Sequence, residues 1–232
     1  PKRSVRSVGA APVATLIAAL IAALVATLMP SPVRADPVAD FYKGKQIRVV
    51  MGFATGGADD DLLNGAAGDD QLSGKDGNDS LLGGDGNDSV DGGGENDTLD
   101  GGKGNDSLDG GNGNDTIQAG SGNDTALGGN GDDSILGGPG ADRLDGGDGN
   151  DTITGGNNND VLFGSYDNDT INGNAGDDAV YGDDGNDSLA GDAGIDSVFV
   201  GYGNDTLDDL TDNAQPDAWD AGGGNDTMLA DT

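Results

Sequence analysis

The chain has 232 residues with a formal net charge of -33, 46 glycines and an aromatic content of 4%. It is long enough for one domain or two small ones, although on composition alone such a charged, glycine-rich chain is typical of disorder. The absence of cysteine excludes disulfides and thiolate chemistry, and the absence of histidine excludes a Ser-His-Asp triad and His-based zinc sites. The acidic surface repels nucleic acid and attracts cations.

The charge is divided between two different kinds of sequence. Residues 1–55 carry seven basic and two acidic residues, whereas the rest of the chain carries three basic and 41 acidic residues. Residues 1–35 have a basic start, an apolar run at 13–29, and Val33 and Ala35 at the places that precede a cleavage site. This order predicts a signal-peptide helix that is cleaved after Ala35, with an uncleaved membrane anchor as the alternative. We therefore expect an extracellular or periplasmic protein without a stable membrane span after cleavage.

Residues 36–55 contain a short apolar run, Ile47 to Phe53, that predicts a buried strand ending at a pair of glycines. The segment resembles the mature start of the periplasmic receptors of tripartite tricarboxylate transporters. That resemblance implies a strand leading into a glycine-rich ligand loop, and it makes a solute receptor the second interpretation. A receptor also needs a two-lobed α/β domain, and the chain after Gly57 has no helical periodicity for one.

A nine-residue repeat begins at Gly56, with units such as GKDGNDSLL, GGDGNDSVD and GGNGNDTIQ. It continues without an insertion through 17 units to Asp208, and one more unit follows at 221–229. The eighth place is Leu, Ile, Val or Met in every unit except at Ala126, and the sixth place is Asp in all 18 units. A solvated acidic face, which is the usual explanation of a charge run, does not require such fixed spacing.

This unit resembles the RTX nonapeptide G-G-x-G-x-D-x-U-x of hemolysin-type calcium-binding proteins. The resemblance implies an all-β fold, a parallel β-roll or right-handed β-helix solenoid, in which each unit makes one glycine-rich turn and one short strand. Two units complete a coil, and Ca²⁺ lies between turns that are one coil apart. RTX rolls often follow enzyme domains, so a detached accessory module of a secreted enzyme or toxin stays open.

The residues give physical grounds for this fold. Glycine at the first, second and fourth places permits positive φ and close packing of turn on turn, and alternation directs the eighth side chain inward. In a coil of 18 residues each sixth-place Asp lies above the Asp two units later, as Asp61 above Asp79, which gives 15 pairs in the uninterrupted units. Ca²⁺ accepts six to eight oxygen ligands in flexible geometry, whereas Mg²⁺ requires a tight octahedron and soft metals prefer Cys or His.

The sequence therefore predicts Ca²⁺ as the bound ion, with no catalytic residues. The expected metal ligands are Asp61, Asp70, Asp79, Asp88, Asp97, Asp106, Asp115, Asp124, Asp133, Asp142, Asp151, Asp160, Asp169, Asp178, Asp187, Asp196, Asp205 and Asp226. The expected organisation is a signal peptide (1–35), a short strand or linker (36–55), the β-roll (56–208), an insertion or cap (209–220), and a final repeat with the C-terminal end (221–232). We expect a structural or interaction module that folds when calcium binds, with a protein or polysaccharide partner left open.

Three other features of the sequence do not change this interpretation. An EF-hand is excluded because it needs a closing Glu, and the only Glu is Glu95. The Asn-Asp-Ser/Thr sequence matches a glycosylation sequon, but it is explained as a by-product of the repeat. Aromatic residues gather in the later units, where we expect side cover or extra core rather than a ligand surface: Phe163, Tyr166, Tyr181, Phe199 and Tyr202.

Overall fold

The structure is a computed structural model that describes residues 60–208 and 218–229. The chain divides into two units, Pro1–Asp36 and Pro37–Thr232, and the described residues all belong to the second. The expected signal peptide and the expected strand within 36–55 therefore lie outside the described residues. Within the described ranges every regular element is a β-strand, and no helix there is long and apolar enough to cross a membrane.

Most strands have six residues and run from the seventh place of one repeat unit to the third place of the next. They are longer than the short strand that the sequence predicts, because the first two glycine places also join the ladder. The strands are β1 (Leu62–Ala67), β2 (Gln71–Asp76), β3 (Ser80–Asp85), β4 (Ser89–Gly94), β5 (Thr98–Lys103), β6 (Ser107–Asn112), β7 (Thr116–Ser121), β8 (Thr125–Asn130), β9 (Ser134–Pro139), β10 (Arg143–Asp148), β11 (Thr152–Asn157), β12 (Val161–Tyr166), β13 (Thr170–Ala175), β14 (Ala179–Asp184), β15 (Ser188–Ala190), β16 (Ser197–Phe199), β17 (Tyr202–Gly203), β18 (Thr206–Asp208), β19 (Ala218–Asp220), β20 (Gly223–Gly224) and β21 (Thr227–Leu229).

Successive strands alternate between two parallel sheets. The first sheet has the order β1-β3-β5-β7-β9-β11-β13-β15-β18-β21, and the second has the order β19-β16-β14-β12-β10-β8-β6-β4-β2, with β17 and β20 beside this path. Paired residues are 18 positions apart, so that Leu81 lies opposite Leu99 and Leu144 lies opposite Leu162. Two nine-residue units therefore make one coil, which confirms the all-β parallel β-roll.

The core is formed by the eighth-place side chains, which point between the two sheets. Period-two alternation along each strand places these residues inside and their neighbours outside. Most of them are buried, including Ala126, the small exception in the pattern. The same unit has Ala119 instead of glycine at the first place, and Ala119 and Ala126 are both 0% exposed.

The glycine places have two different physical roles. The second and fourth places take positive φ, as at Gly111 (103°) and Gly113 (126°), and the exceptional Glu95 adopts φ 67° at a fourth place. The first place does not take positive φ, which corrects the expectation for that place. Glycine is favoured there because a Cβ on Gly137 would lie 2.5 Å from the carbonyl oxygen of Gly155 and 2.6 Å from an Asp142 carboxylate oxygen, and Ala119 and Val200 are exceptions at this place.

The last coil joins the solenoid with a longer spacing. Strand β19 pairs with β16 at 21 positions, which places Trp219 opposite Val198 in the eighth-place row of the second sheet. Residues 218–220 therefore belong to the solenoid, whereas residues 209–217 lie outside the described residues. Trp219 is 51% exposed, because it belongs to the terminal strand of its sheet.

Aromatic residues cover part of the outer face of the second sheet. Phe163, Tyr181 and Phe199 occupy ninth places and stack in a row, with ring centroids 4.8 Å apart and planes 6° apart at each step. The guanidinium of Arg143 lies 4.3 Å from the centroid of the Phe163 ring, within the range of a cation–π contact. This row is a side cover on the sheet, and Tyr166 and Tyr202 project from third places into solvent.

Candidate metal centre

The sixth-place aspartates lie in the turns, where the chain passes from one sheet to the other. Asp61, Asp79 and their equivalents precede strands of the first sheet, whereas Asp70, Asp88 and theirs precede strands of the second. The fold therefore gathers the predicted ligands along its two long edges. Asp61, Asp70 and Asp226, near the ends, are partly buried. The others are buried: Asp79, Asp88, Asp97, Asp106, Asp115, Asp124, Asp133, Asp142, Asp151, Asp160, Asp169, Asp178, Asp187, Asp196 and Asp205.

From Asp79 onward, each sixth-place carboxylate is tied to the coil before it by a backbone hydrogen bond. The backbone N–H of Asp133 donates to Oδ1 of Asp151 at 2.8 Å, and that of Asp151 donates to Oδ1 of Asp169 at 2.8 Å. We call these two series the Asp ladders. Fifteen such bonds at a spacing of 18 run from Asp61 to Asp205 with lengths of 2.6 to 2.9 Å.

In thirteen residues of the Asp ladders the second carboxylate oxygen is buried without a hydrogen-bond partner. Where the first place of the unit is glycine, this oxygen lies in the space that a Cβ would fill, as Oδ2 of Asp142 does at Gly137. A buried, charged oxygen without a partner is costly, so this arrangement needs a cation or a proton to offset it. Oxygens in this condition are the Oδ2 atoms of Asp79, Asp97, Asp106, Asp115, Asp124, Asp133, Asp142, Asp151, Asp160, Asp169, Asp178, Asp187 and Asp205.

Burial raises the pKa of these carboxyl groups. Desolvation is the largest cause, the backbone N–H bond opposes it, and the stacked carboxylates of neighbouring coils add to it, as Asp151 and Asp115 do for Asp133. The pKa values of Asp133, Asp160 and Asp169 are raised from 3.8 to about 7. The pKa values that rise to about 6 are those of Asp97, Asp124, Asp151 and Asp187. Without a metal ion, these carboxyl groups therefore take up protons at a higher pH than an exposed aspartate does.

A second pair of ladders is made by Asn and Asp at the fifth place. The backbone N–H of Asn114 donates to Oδ1 of Asn96 at 2.8 Å, and that of Asn186 donates to Oδ1 of Asn168 at 2.9 Å. These bonds run in the direction opposite to the Asp ladders, so each turn is fastened to both neighbouring coils. The sequence pattern did not lead us to predict this hydrogen-bonding role, although Asn recurs before the sixth-place Asp in most units. On the edge that precedes the second sheet, Ala141 and Ile195 leave two places without a side-chain acceptor.

The oxygen atoms along the two edges fit a calcium ion, although they do not form a cluster of side-chain ligands. Among residues 60–208 and 218–229, no group of three or more acidic residues gathers around one point. An ion on these edges would therefore combine stacked carboxylates with the backbone carbonyls of the glycine turns. All of these ligands are oxygens, and Ca²⁺ is the ion that accepts many of them in irregular geometry.

The two sheets and the buried carboxylates along their edges define a calcium-binding parallel β-roll. The family model of the RTX calcium-binding nonapeptide repeat (4 copies) matches residues 53–81, 82–117, 91–126, 118–153, 127–162, 154–189, 181–208 and 190–213. Because these matches span more than half of the chain, the protein belongs to this family. Calcium is its cofactor, and the repeats are a structural calcium-binding fold.

No curated protein matches the chain. The resemblance of residues 36–57 to a tricarboxylate transporter receptor is not supported: the family model that matches the chain is that of the RTX repeat, and its first match begins at residue 53. This segment also lies outside the described residues.

Proposed function

We propose that the protein is an exported module that winds into its β-roll when calcium binds to the Asp ladders. One observation carries this proposal: the row of buried Oδ2 atoms that have no hydrogen-bond partner. Calcium supplies the positive charge that these oxygens need, and the bound ion joins turns that are one coil apart. The chain's own part is to place carboxylates and glycine turns at matching heights along each edge.

The charge of the chain explains why binding and winding are coupled. The repeat region carries 41 acidic and three basic residues, so that an unloaded coil stacks like charges at short range. One ion for each of the 15 stacked sixth-place pairs would bring +30 to this region. The unloaded chain repels itself, whereas the loaded coil is close to neutral, and metal binding is then part of the free energy of folding.

The difference in calcium concentration between the cytosol and the extracellular medium determines where the chain winds. The cytosol holds little calcium, which keeps the chain unwound before export, whereas the extracellular medium holds enough to load the ladders. The basic start and apolar run of residues 1–35 support export by an N-terminal signal.

Circular dichroism during a calcium titration tests the proposal. We expect the chelated protein at neutral pH to show a disordered spectrum, and calcium to produce a β spectrum in a cooperative transition. Magnesium at the same concentration should not produce it, because Mg²⁺ keeps its waters and requires a tight octahedron. A β spectrum of equal strength in chelator and in calcium would contradict calcium-driven winding.

A further inference from the structure

We propose that Asn112 and Asn130 are sites of spontaneous deamidation that the wound coil protects. Both residues occupy third places at the ends of β6 and β8, both are exposed, and each is followed by glycine. Glycine after asparagine favours ring closure because it has no Cβ to hinder the approach of its nitrogen. The reaction is an intramolecular modification that requires only water as co-reactant.

The atoms involved are defined by the sequence. The backbone nitrogen of Gly113 attacks Cγ of Asn112, the bond from Cγ to Nδ2 breaks, and ammonia leaves with the proton of the attacking nitrogen. A five-membered succinimide results. Water then opens the ring on either side and gives aspartate or isoaspartate, so that asparagine and water become an acidic residue and ammonia. The same steps apply to Asn130 and Gly131.

In the wound coil, the attacking backbone nitrogen and the asparagine side chain are both held by hydrogen bonds. The N–H of Gly113 donates to the carbonyl oxygen of Asn130 at 2.8 Å, and the N–H of Gly131 donates to that of Asp148 at 2.7 Å. The side chains are also held, because Nδ2 of Asn130 donates to Oδ1 of Asn112 at 2.8 Å. Ring closure therefore requires local opening of two adjacent coils, which is a rare event in a wound ladder.

The fold disfavours the removal of these sites by replacement of the glycine. Gly113 has φ 126°, and a Cβ there would overlap the carbonyl oxygen of Glu95 in the coil before it, although Asn158 occupies the same place in another unit. The third place varies more freely, and other units carry Ser121 or Asn157 there. Asn157 is exposed like the two sites but is followed by Asn158, so it serves as an internal control.

Deamidation has a structural consequence for the unwound chain. Isoaspartate at position 112 inserts an additional backbone atom into a strand whose residues pair with β4 and β8 at a strict spacing of 18. A chain that has aged in this way cannot keep the register of both neighbours. Because winding depends on calcium in the proposed function, the calcium-free chain has a limited lifetime in which it can still wind.

Peptide mapping by mass spectrometry of the full chain tests this proposal, after incubation at neutral pH in calcium, in chelator, and in chelator with urea. We expect Asn112 and Asn130 to convert at least about tenfold more slowly in calcium than in urea, and Asn157 to convert slowly throughout. Conversion at equal rates in calcium and urea would overturn the proposal, as would conversion in urea no faster than that of Asn157. If chelator leaves the coil wound, the proposed function fails, while the comparison of wound protein with urea still decides the deamidation.

A double variant, Asn112→Ser with Asn130→Ser, provides the matched control, because serine already occupies a third place at Ser121. Aged wild-type protein should lose its calcium-induced β spectrum in proportion to its isoaspartate content, and it should lose more than the aged variant, in which only the Asn64-Gly65 and Asn172-Gly173 pairs remain to convert. Equal losses in both proteins would contradict the stated consequence for winding.

Discussion

At the scale of single residues, the sixth-place Asp has two oxygens with different tasks. Oδ1 accepts the N–H of the Asp one coil earlier, and Oδ2 is buried without a partner, as in Asp151. The first oxygen would serve equally well on an amide, but the second requires a cation or a proton. The structural and ion-binding contributions of one residue are therefore separable by mutation.

The substitution Asp151→Asn separates them. The amide oxygen can still accept the N–H of Asp133, whereas the charge and the free oxygen are lost. In calcium we expect the midpoint of winding to move to roughly threefold to tenfold higher calcium, since ligand charge sets affinity. In chelator we expect the opposite sign, with a more stable coil, because a buried charge has been removed. Asp148→Asn, at an exposed third place, is the control with the same change in charge, and equal effects of the two variants would refute a special role for Asp151.

The first-place glycine gives a second test at this scale. In Gly137→Ala the new Cβ would lie 2.5 Å from the carbonyl oxygen of Gly155, so the coils must separate locally. We expect a loss of roughly 1–3 kcal/mol in unfolding free energy in calcium, measured by urea denaturation. Gly94→Ala is the control, because its Cβ would meet only the carbonyl oxygen of Lys75, at 3.7 Å. Comparable losses in both variants would show that crowding at the first place is not the cause.

At the scale of strands, each six-residue element depends on its neighbours one coil away. The sequence predicts these strands well, because the eighth-place residues and the nine-residue period together define the face, the register and the parallel pairing. The sequence does not predict that Trp219 continues the eighth-place row of the second sheet. Trp219 lies 21 positions after Val198 instead of 18, so it is out of phase with the repeat. The sequence also misses the fifth-place ladders, because Asn before Asp has no hydrophobic pattern and its bonds depend on turns that are 18 residues apart.

The aromatic row tests how strongly neighbouring strands depend on each other. Tyr181 stacks against two rings, whereas Phe199 has one stacking partner among the described residues, Tyr181 itself. We expect Tyr181→Ala to lower the unfolding free energy in calcium by about 1–2 kcal/mol more than the conservative Tyr181→Phe, and by more than Phe199→Ala. Urea denaturation measures these differences. A larger loss in Phe199→Ala would mean that stacking is not what this row contributes.

At the scale of the whole molecule, the buried carboxylates make the calcium-free coil sensitive to pH. In the folded state the pKa of Asp124 is raised from 3.8 to about 6 and that of Asp160 to about 7, so the wound coil binds more protons than the unwound chain between the unfolded and the folded values. The resulting stability is fully present below pH 3.8 and is lost as the pH rises through 6 to 7.

We therefore expect the chelated protein to wind near pH 4 and to unwind as the pH approaches 7. Calcium should reverse this trend, because protons and calcium compete for the same oxygens and calcium holds the coil at neutral pH. Circular dichroism across this pH range, with and without calcium, measures both effects. If the stability of the chelated coil increased as the pH rises, this result would contradict the raised pKa values of the buried aspartates.

The number of calcium ions bound per molecule tests the central claim most directly. Equilibrium dialysis at neutral pH and physiological salt should find on the order of fifteen ions on the wound protein, since fifteen sixth-place pairs at a spacing of 18 stack along the two edges. Binding should saturate together with the β spectrum. A fully wound protein that retains only one or two ions would contradict the account, because most of the buried carboxylates would then be stable without calcium.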